Sequence, residues 1–378
     1  MIARPFTLDD AIGVNALHEQ IHWPVPSTAQ WEWLAAHPGH KDGQPIGWVI
    51  DNNGRIDGFI GCQRRHVFHK RQRLILGSIH SVIVAPYARG SARTLLDAAA
   101  AQPDLAATVV LNANRIGSPV YSNKGYAPLA GPSHDVRLSW ILAPTITLIS
   151  RIMRQSLERW PGMASVYGER FTPRASTLFN PRLIHWPKGV HLVEDLSDNS
   201  AYGQFWRDLL AETRMVSDRS PALMRWFCQQ PDRVRPPLLL GYHDAKGLVA
   251  YALAQISKTG PVDVPVLEIL DMVALERAPD TALPALIKAM KTAAYKMEAA
   301  KVRLPVVSAE LVQRLGGLTR SAHREGAWGH GFIKAEDTRV FDSWSPTAFD
   351  GSDGFTLRQP PASRGASSRT PPPEKSPD

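Results

Sequence analysis

Cysteine is scarce: the 378 residues hold two, Cys62 and Cys228, far apart and without metal-ligand spacing. That excludes a disulfide framework and a thiolate zinc site, and it suits a reducing cytoplasm. Long hydrophobic runs are missing too. The most apolar segment, Trp140 to Ser150, is too short to cross a membrane and is broken by Pro144. The opening residues Met1 to Phe6 lack the uninterrupted apolar core of a signal peptide, and Asp9 and Asp10 follow at once. A soluble, cytoplasmic protein without a transmembrane segment is expected. Acidic residues are the minority, 35 against 43 Lys and Arg, and the net charge of +8 would suit an anionic ligand, a nucleic acid or an anionic membrane without choosing among them.

What is present is organised around Ser78 to Leu96, SIHSVIVAPYARGSARTLL. Ser78 to Val84 is rich in branched apolar residues and Pro86 ends the run. Leu95, Leu96, Ala99 and Ala100 then recur at helical spacing, so strand, short loop and helix are predicted. The loop Tyr87-Ala88-Arg89-Gly90-Ser91-Ala92 is made largely of small residues that leave amide N–H groups of the first helical turn uncovered, and such groups bind phosphate.

Around this element, Ile2 to Phe6 reads as a strand and Thr7 to Asp10 as the cap of a helix. Trp23, Trp31 and Trp33 follow, as packing under a loop or as the lining of a pocket. Gly47 to Gly61 is a hairpin with an Asn53-Gly54 turn. The basic run Arg64 to Arg73 reads as a solvated hairpin tip, or as an anion site, and feeds a strand at Leu74 to Leu76. Thr108 to Leu111 is a buried strand, parallel to the central one because a helix separates them. After Asn112-Ala113-Asn114, Tyr121 lies on a short helix before Lys124-Gly125-Tyr126.

Between residues 141 and 189, Ile146, Ile149, Ile152, Met153 and Leu157 make an amphipathic helix, and a connector punctuated by proline follows. Beyond it the pattern repeats. Leu238 to Ala252 echoes the hairpin, Val266 to Leu275 the central strand, Thr281 to Met297 the helix, and Val302 to Val307 with Gly326 to Phe332 the closing elements, at an offset of roughly 190 residues. The second copy has Glu276-Arg277-Ala278-Pro279-Asp280 where the first has Arg89-Gly90-Ser91-Ala92, and two carboxylates and a proline make a poor anion cradle. Asp271, in its apolar strand, is expected to make a structural hydrogen bond or to serve a pocket at the cleft between the copies. The division expected is residues 1–140, a linker over 141–189, residues 190–346, and a disordered tail over 347–378.

The strand ending Val84-Ala85-Pro86-Tyr87-Ala88-Arg89-Gly90 and running into a helix resembles the acetyl-CoA-binding segment of the GNAT N-acetyltransferases, and Tyr121 with Lys124-Gly125-Tyr126 is similar to that family's second signature. The resemblance implies an α/β (α+β) fold: two tandem GNAT domains, each a mixed, mostly antiparallel sheet flanked by helices, the second degenerate. It implies acetyl-CoA as co-substrate, held by Val82, Ile83 and Val84 along the pantetheine arm and by Arg89, Gly90, Ser91, Ala92, Arg93 and Thr94 around the pyrophosphate, with Asn114 also in contact. Ala92 and Thr94 depart from the family's Arg/Gln-x-x-Gly-x-Gly/Ala pattern. Tyr121 stands where many members hold the acid that protonates the departing thiolate. His80, in the strand facing the cofactor, is the candidate base, or a core histidine. The expected function is acyl-CoA-dependent N-acyl transfer to a small-molecule amine or amino-sugar acceptor, with no nucleic-acid partner. The alternatives are a non-catalytic GNAT-like binding protein, which Ala92 and Thr94 favour, or a transferase using aminoacyl-tRNA, as the peptidoglycan-bridge transferases do on a similar doubled fold.

Overall fold

The computed structural model describes residues 2–41, 43–70, 72–159, 179–260 and 262–357. In chain order the first half is β1 (Ile2–Pro5), α1 (Ala11–Gln20), α2 (Thr28–Ala35), β2 (Gly47–Asn52), β3 (Arg55–His69), β4 (Gln72–Val84), α3 (Ala92–Ala100), β5 (Ala107–Val110), α4 (Ser118–Asn123), β6 (Ala127–Pro128) and β7 (Val136–Ile141). The amphipathic helix α5 (Pro144–Arg159) follows, and the expected connector falls partly on residues 160–178, outside the described residues.

The second half repeats the series: β8 (Val190–Leu192), α6 (Ala201–Leu210), a short β9 (Val216–Ser217), α7 (Pro221–Cys228), β10 (Leu238–Asp244), β11 (Gly247–Ser257), β12 (Val266–Ala274), α8 (Ala282–Lys296), β13 (Lys301–Leu304), α9 (Ala309–Leu315), β14 (His323–Gly326) and β15 (Phe332–Lys334). The expectation of two tandem mixed sheets is borne out. Each sheet has one parallel pair, β4 with β5 and β12 with β13, bridged by the crossover helix α3 or α8. Among the described residues no helix is long and apolar enough to cross a membrane.

The sheets are not separate. Their orders are β1-β2-β3-β4-β5-β15-β6, with β9 on β3, and β14-β7-β13-β12-β11-β10-β8. Each half therefore lends its last strand to the other: β15 enters the first sheet opposite β5, with Phe332 facing Val110, and β7 enters the second opposite β13, with Val302 facing Trp140. A second reciprocal contact lies between α2 and α7, each opened by a serine whose hydroxyl accepts from the third residue beyond it. Trp33 and Trp226, at the same position of the two helices, stack with ring centroids 3.9 Å apart. Each indole N–H donates to the other tryptophan's carbonyl, at 2.8 and 2.9 Å.

Local expectations are met where the chemistry is local. Asn53 and Gly54 take positive φ of 55° and 86°, which a two-residue hairpin turn requires, and Asn52 pairs with Arg55 across it. Two expectations need correction. Arg64 and Arg65 are no solvated tip but buried members of the long strand β3. Arg64 pairs with Asp104 and donates to Gln102 Oε1 at 2.8 Å, and Arg65 donates to the Gly351 carbonyl at 3.0 Å. Residues 347–353, expected in the disordered tail, are buried. This segment has no apolar period, and distant polar partners hold it: Arg219 donates to Asp350, at 2.8 and 3.0 Å, and Asn112 donates to Ser352 Oγ at 2.7 Å.

The tryptophan pair is directly testable. Replacing either indole with alanine should cost about 3–5 kcal/mol, and the double replacement should cost clearly less than the sum, since each single change already leaves the partner without its stack. Urea unfolding of the four proteins measures the coupling, and additivity within about 0.5 kcal/mol would show that the two rings act independently.

Candidate active site

The central strand is bent where the chemistry was expected. In the β3–β4 ladder Phe59 faces Ile83 but Gly61 faces His80, so β4 carries one extra residue, and Ser81 there has φ of 50°. Such a bulge turns a strand aside. The parallel ladder with β5 covers Leu76 to Ser78 against Ala107 to Val109 and stops below the bulge. Past it, Val82 and Val84 are half-buried against the α3 side of the sheet and Ile83 is buried on the other.

Pro86 to Ser91 winds into two short 3-10 turns, kinked at Ala88, that lead directly into α3. Arg89, Gly90, Arg93 and Thr94 are exposed, Ala92 is half-buried and Ser91 buried. A Cβ placed on Gly90 would meet nothing within 4 Å, so the turn is open on that side. Its base is pinned by groups that the sequence reading missed. Tyr87 donates its hydroxyl to Asp57 Oδ1 at 2.8 Å, and Arg55, bonded to the same carboxylate at 2.7 Å, holds Asp57 at about 2.

Asn114 and Tyr121 sit together at the next element. Asn114 Oδ1 accepts from the N–H groups of Ile116 and Gly117, at 3.0 and 2.7 Å, and so fixes the turn before α4. Tyr121 on that helix is 7% exposed, with its ring 5.6 Å from Tyr126 and 5.8 Å from Phe332, the latter on the strand lent by the second half. Burial pushes the phenol well above its ordinary value, which keeps it protonated throughout the neutral range.

On the opposite side of the bulge lies a cavity of about 590 Å³, reached by His80 and Ser81 from β4, His18, Trp23, Gln30 and Trp31 from the α1–α2 region, Gln230 and Asp232 from beyond α7, and Thr356 and Leu357. His80 Nδ1 is 3.1 Å from the Ser81 hydroxyl. Burial, followed by the neighbouring Arg65, lowers its pKa to about 3. It is therefore neutral near pH 7 and a poor proton acceptor. Of the three tryptophans, Trp23 and Trp31 reach the cavity and Trp33 is committed to its stack. Gln230, Asp232, Thr356 and Leu357 carry no signal in the sequence, because some 200 residues or more of chain separate them from α2.

The equivalent region of the second half is built differently. Its cavity of about 730 Å³ is lined by Glu276, Asp280, Glu310, Arg214 and Arg314. Arg214 pairs with Glu212 at 2.8 Å and with Glu310, and Arg314 pairs with Glu310 at 3.3 Å, so both cations are already neutralised. Asp271 is fully buried and takes a structural role: Arg219 Nε lies 2.6 Å from its Oδ2, Thr347 donates to it at 2.7 Å, and so does Tyr251.

No protein-family model and no curated protein matches the sequence. Solved structures do match in fold. A probable N-acyltransferase from Enterococcus faecalis V583 superposes with a TM-score of 0.53 at 12% identity, covering 90% of this chain and 73% of the other. A GCN5-related N-acetyltransferase from Anabaena variabilis gives 0.51 at 14% identity, over 89% and 73%. The N-myristoyltransferase of Saccharomyces cerevisiae, solved with bound myristoyl-CoA, gives 0.50 at 10% identity, over 88% and 77%. At these identities the likeness is one of fold. The chain is an α+β protein with a GNAT-like tandem arrangement of two sheets.

The buried histidines set an acid limit on stability. Burial lowers His80 and His330 to about 3, His40 to about 4, and His37 well below its ordinary value of 6.5. Unfolding lets each bind a proton, so their contribution is complete above about pH 6.5 and is lost as pH falls toward the folded values. Asp353, raised by burial to about 6, has the opposite sign, as do Asp271 and Glu212, while His18 and His243, also lowered by burial, add to the four histidines. At pH 5 each of those four should cost about 2 kcal/mol, and the melting temperature should drop clearly between pH 7.5 and 5. A rise over that interval would contradict the buried, neutral assignment.

Proposed function

We propose that the protein is an acyl-CoA-dependent N-acyltransferase, in its simplest form an acetyltransferase. The observation that carries this reading is that the 590 Å³ cavity meets β4 at His80 and Ser81, directly before Val82, Ile83 and Val84. An acceptor in the cavity and an acyl group along that strand would meet at the bulge. The residues present fit a CoA thioester: the ladder of β4 with β5 ends below Val82, and the Gly90 turn has open space before it. Val82, Ile83 and Val84 would flank the pantetheine arm, while Arg89, Gly90, Ser91 and Ala92, with Arg93 and Thr94 at the start of α3, would face the pyrophosphate. Asn114 would act through the turn that leads into α4, whose Ile116 and Gly117 N–H groups donate to it, since that helix carries Tyr121.

In the reaction a neutral amine attacks the thioester carbonyl, the N–C bond forms and the C–S bond breaks. Amide N–H groups near the bulge stabilise the oxyanion. Tyr121, a neutral phenol, gives its proton to the thiolate as the C–S bond breaks and regains one from solvent when the products leave. His80 orients the nucleophile as a neutral imidazole, and the proton of the amine leaves to water, since a group titrating near 3 cannot hold it.

Two variants test the two halves of this reading. Gly90→Glu puts a carboxylate where the pyrophosphate would lie, in space that accepts the side chain, so acetyl-CoA binding should be lost with the fold intact. In the parent, acetyl-CoA at a hundred times its dissociation constant should add about 2.7 kcal/mol of stability. An unchanged affinity in folded Gly90→Glu, or no thermal shift of the parent at millimolar acetyl-CoA, sinks the cofactor assignment and favours a binding protein without catalysis. Tyr121→Phe should retain affinity and lose about 10²- to 10⁴-fold in turnover. Turnover within about threefold of the parent, less than general acid catalysis supplies, would reduce Tyr121 to packing.

A further inference from the structure

The helix α5 turns its more polar side toward its own protein. Thr147, Ser150 and Met153, spaced to share one face, are the residues that are buried or half-buried, and Ser150 donates its hydroxyl to the Val262 carbonyl at 2.8 Å. Arg154, on the same side, lies 3.4 Å from Asp263. The larger apolar side chains are left outside. Leu148 and Ile152, one turn apart, are 59% and 54% exposed, and Ile146 and Ile149, which lead to Ile152 in steps of three, are exposed as well. Single exposed apolar residues are ordinary, but four within seven residues of one helix form a continuous patch, and such a patch marks a contact surface.

The charge around the patch is of one sign. Residues 141–159 hold three arginines against one acidic residue, Glu158. Arg154 is engaged with Asp263, whereas Arg151, exposed on the flank of the Leu148 and Ile152 stripe, makes no ion pair among the described residues. Its aliphatic stem can lie along an apolar surface while the guanidinium reaches an anion. A second copy of this chain would bring the same arginines and the same charge of +8 against them, and these few side chains fall well short of the ~800 Å² per partner that a stable interface buries. An anionic lipid surface needs neither a groove nor that area. It takes an amphipathic helix lying flat, with apolar side chains about 5–10 Å into the boundary of headgroups and acyl chains and cations among the phosphates.

We propose that α5 docks the protein on an anionic membrane surface, with Leu148, Ile149 and Ile152 entering the interface and Arg151 meeting the lipid anions. The helix lies on the bilayer and does not span it. One helix face is a single weak anchor, so the contact is peripheral and reversible, and it holds whether or not the chain transfers acyl groups.

Sedimentation of the full chain with lipid vesicles tests this. Vesicles of phosphatidylcholine with about 30 mol% phosphatidylserine should bind the protein at least tenfold more tightly than phosphatidylcholine alone, and salt at about 0.5 M should remove most of that difference. Leu148→Gln and Ile152→Gln keep a good helix former, and each should weaken binding about tenfold with the melting temperature unchanged, since neither side chain is packed. Arg151→Gln should weaken binding about fivefold, on the anionic vesicles only. A clear fall in melting temperature in the two apolar variants would show that this chain itself covers the patch, and the proposal would be overturned. Equal binding to the two kinds of vesicle, or unchanged binding in the three variants, overturns it as well. Absence of binding to either vesicle removes the membrane and leaves a protein groove as the occupant of the patch.

Discussion

The two halves are held together as the subunits of a twofold dimer would be, by contacts that are the same from either side. Trp33 and Trp226 stack and exchange indole-to-carbonyl hydrogen bonds, and each half completes the other's sheet with its last strand. A sheet whose strand comes from the far half cannot finish forming alone. The candidate site depends on this. Phe332, on the strand lent to the first sheet, packs on Tyr121, and Gln230 and Asp232 follow within six residues of Trp226 and close the cavity wall.

The same symmetry shows why the two halves differ in use. Ala85 donates its N–H to the Asp57 carbonyl and Leu275 donates to that of Val249, so the two central strands correspond residue for residue and Asp271 is the counterpart of Ser81. In the first half this position borders a cavity. In the second it is filled by a buried charge cluster. Burial alone would lower the Arg219 pKa, but Asp271 and Asp350 override it and hold the guanidinium well above its ordinary value. Thr347 and Tyr251 supply the remaining hydrogen bonds to Asp271, and the Arg219 guanidinium lies 4.8 Å over the Phe349 ring. A cluster this deeply buried is tolerable only when every member is paired. That requirement draws residues 347–353 into the interior.

Much of the architecture was legible because it is local or repeated. The Asn53-Gly54 turn, the order of strand, turn and helix from Ser78 onward, and the recurrence of that series needed only side-chain period and turn chemistry. The exchanged strands were not legible, since β7 and β15 have ordinary strand sequences and nothing in a strand names its neighbour. Arg64 and Arg65 were misread for a related reason: their alternation into the interior shows only once Asp104, Gln102 and the Gly351 carbonyl are beside them. Near the candidate site, the turn at Arg89 and Gly90 could be read as a turn, and the short helix that carries Tyr121 as a helix. The state of His80 could not, because desolvation is a property of everything packed around it, and it turns a residue chosen for its ordinary pKa into one that stays neutral far below neutrality.

The constraints on the second half are therefore unequal along its length. The turn from Glu276 to Asp280, in the place that Arg89 to Ala92 take in the first half, lies at the surface, where Glu276 and Asp280 border a cleft whose arginines are already paired with Glu212 and Glu310. Changing such a turn alters what the half can bind and leaves its packing alone. β15, the stack of Trp226 and the residues just beyond α7 have no such freedom, because they complete a sheet, an interface and a cavity that belong to the first half. A half in this arrangement can change this turn and still be required for the other half's candidate site, since what the other half needs from it is a strand edge, an aromatic face and the side chains of Gln230 and Asp232.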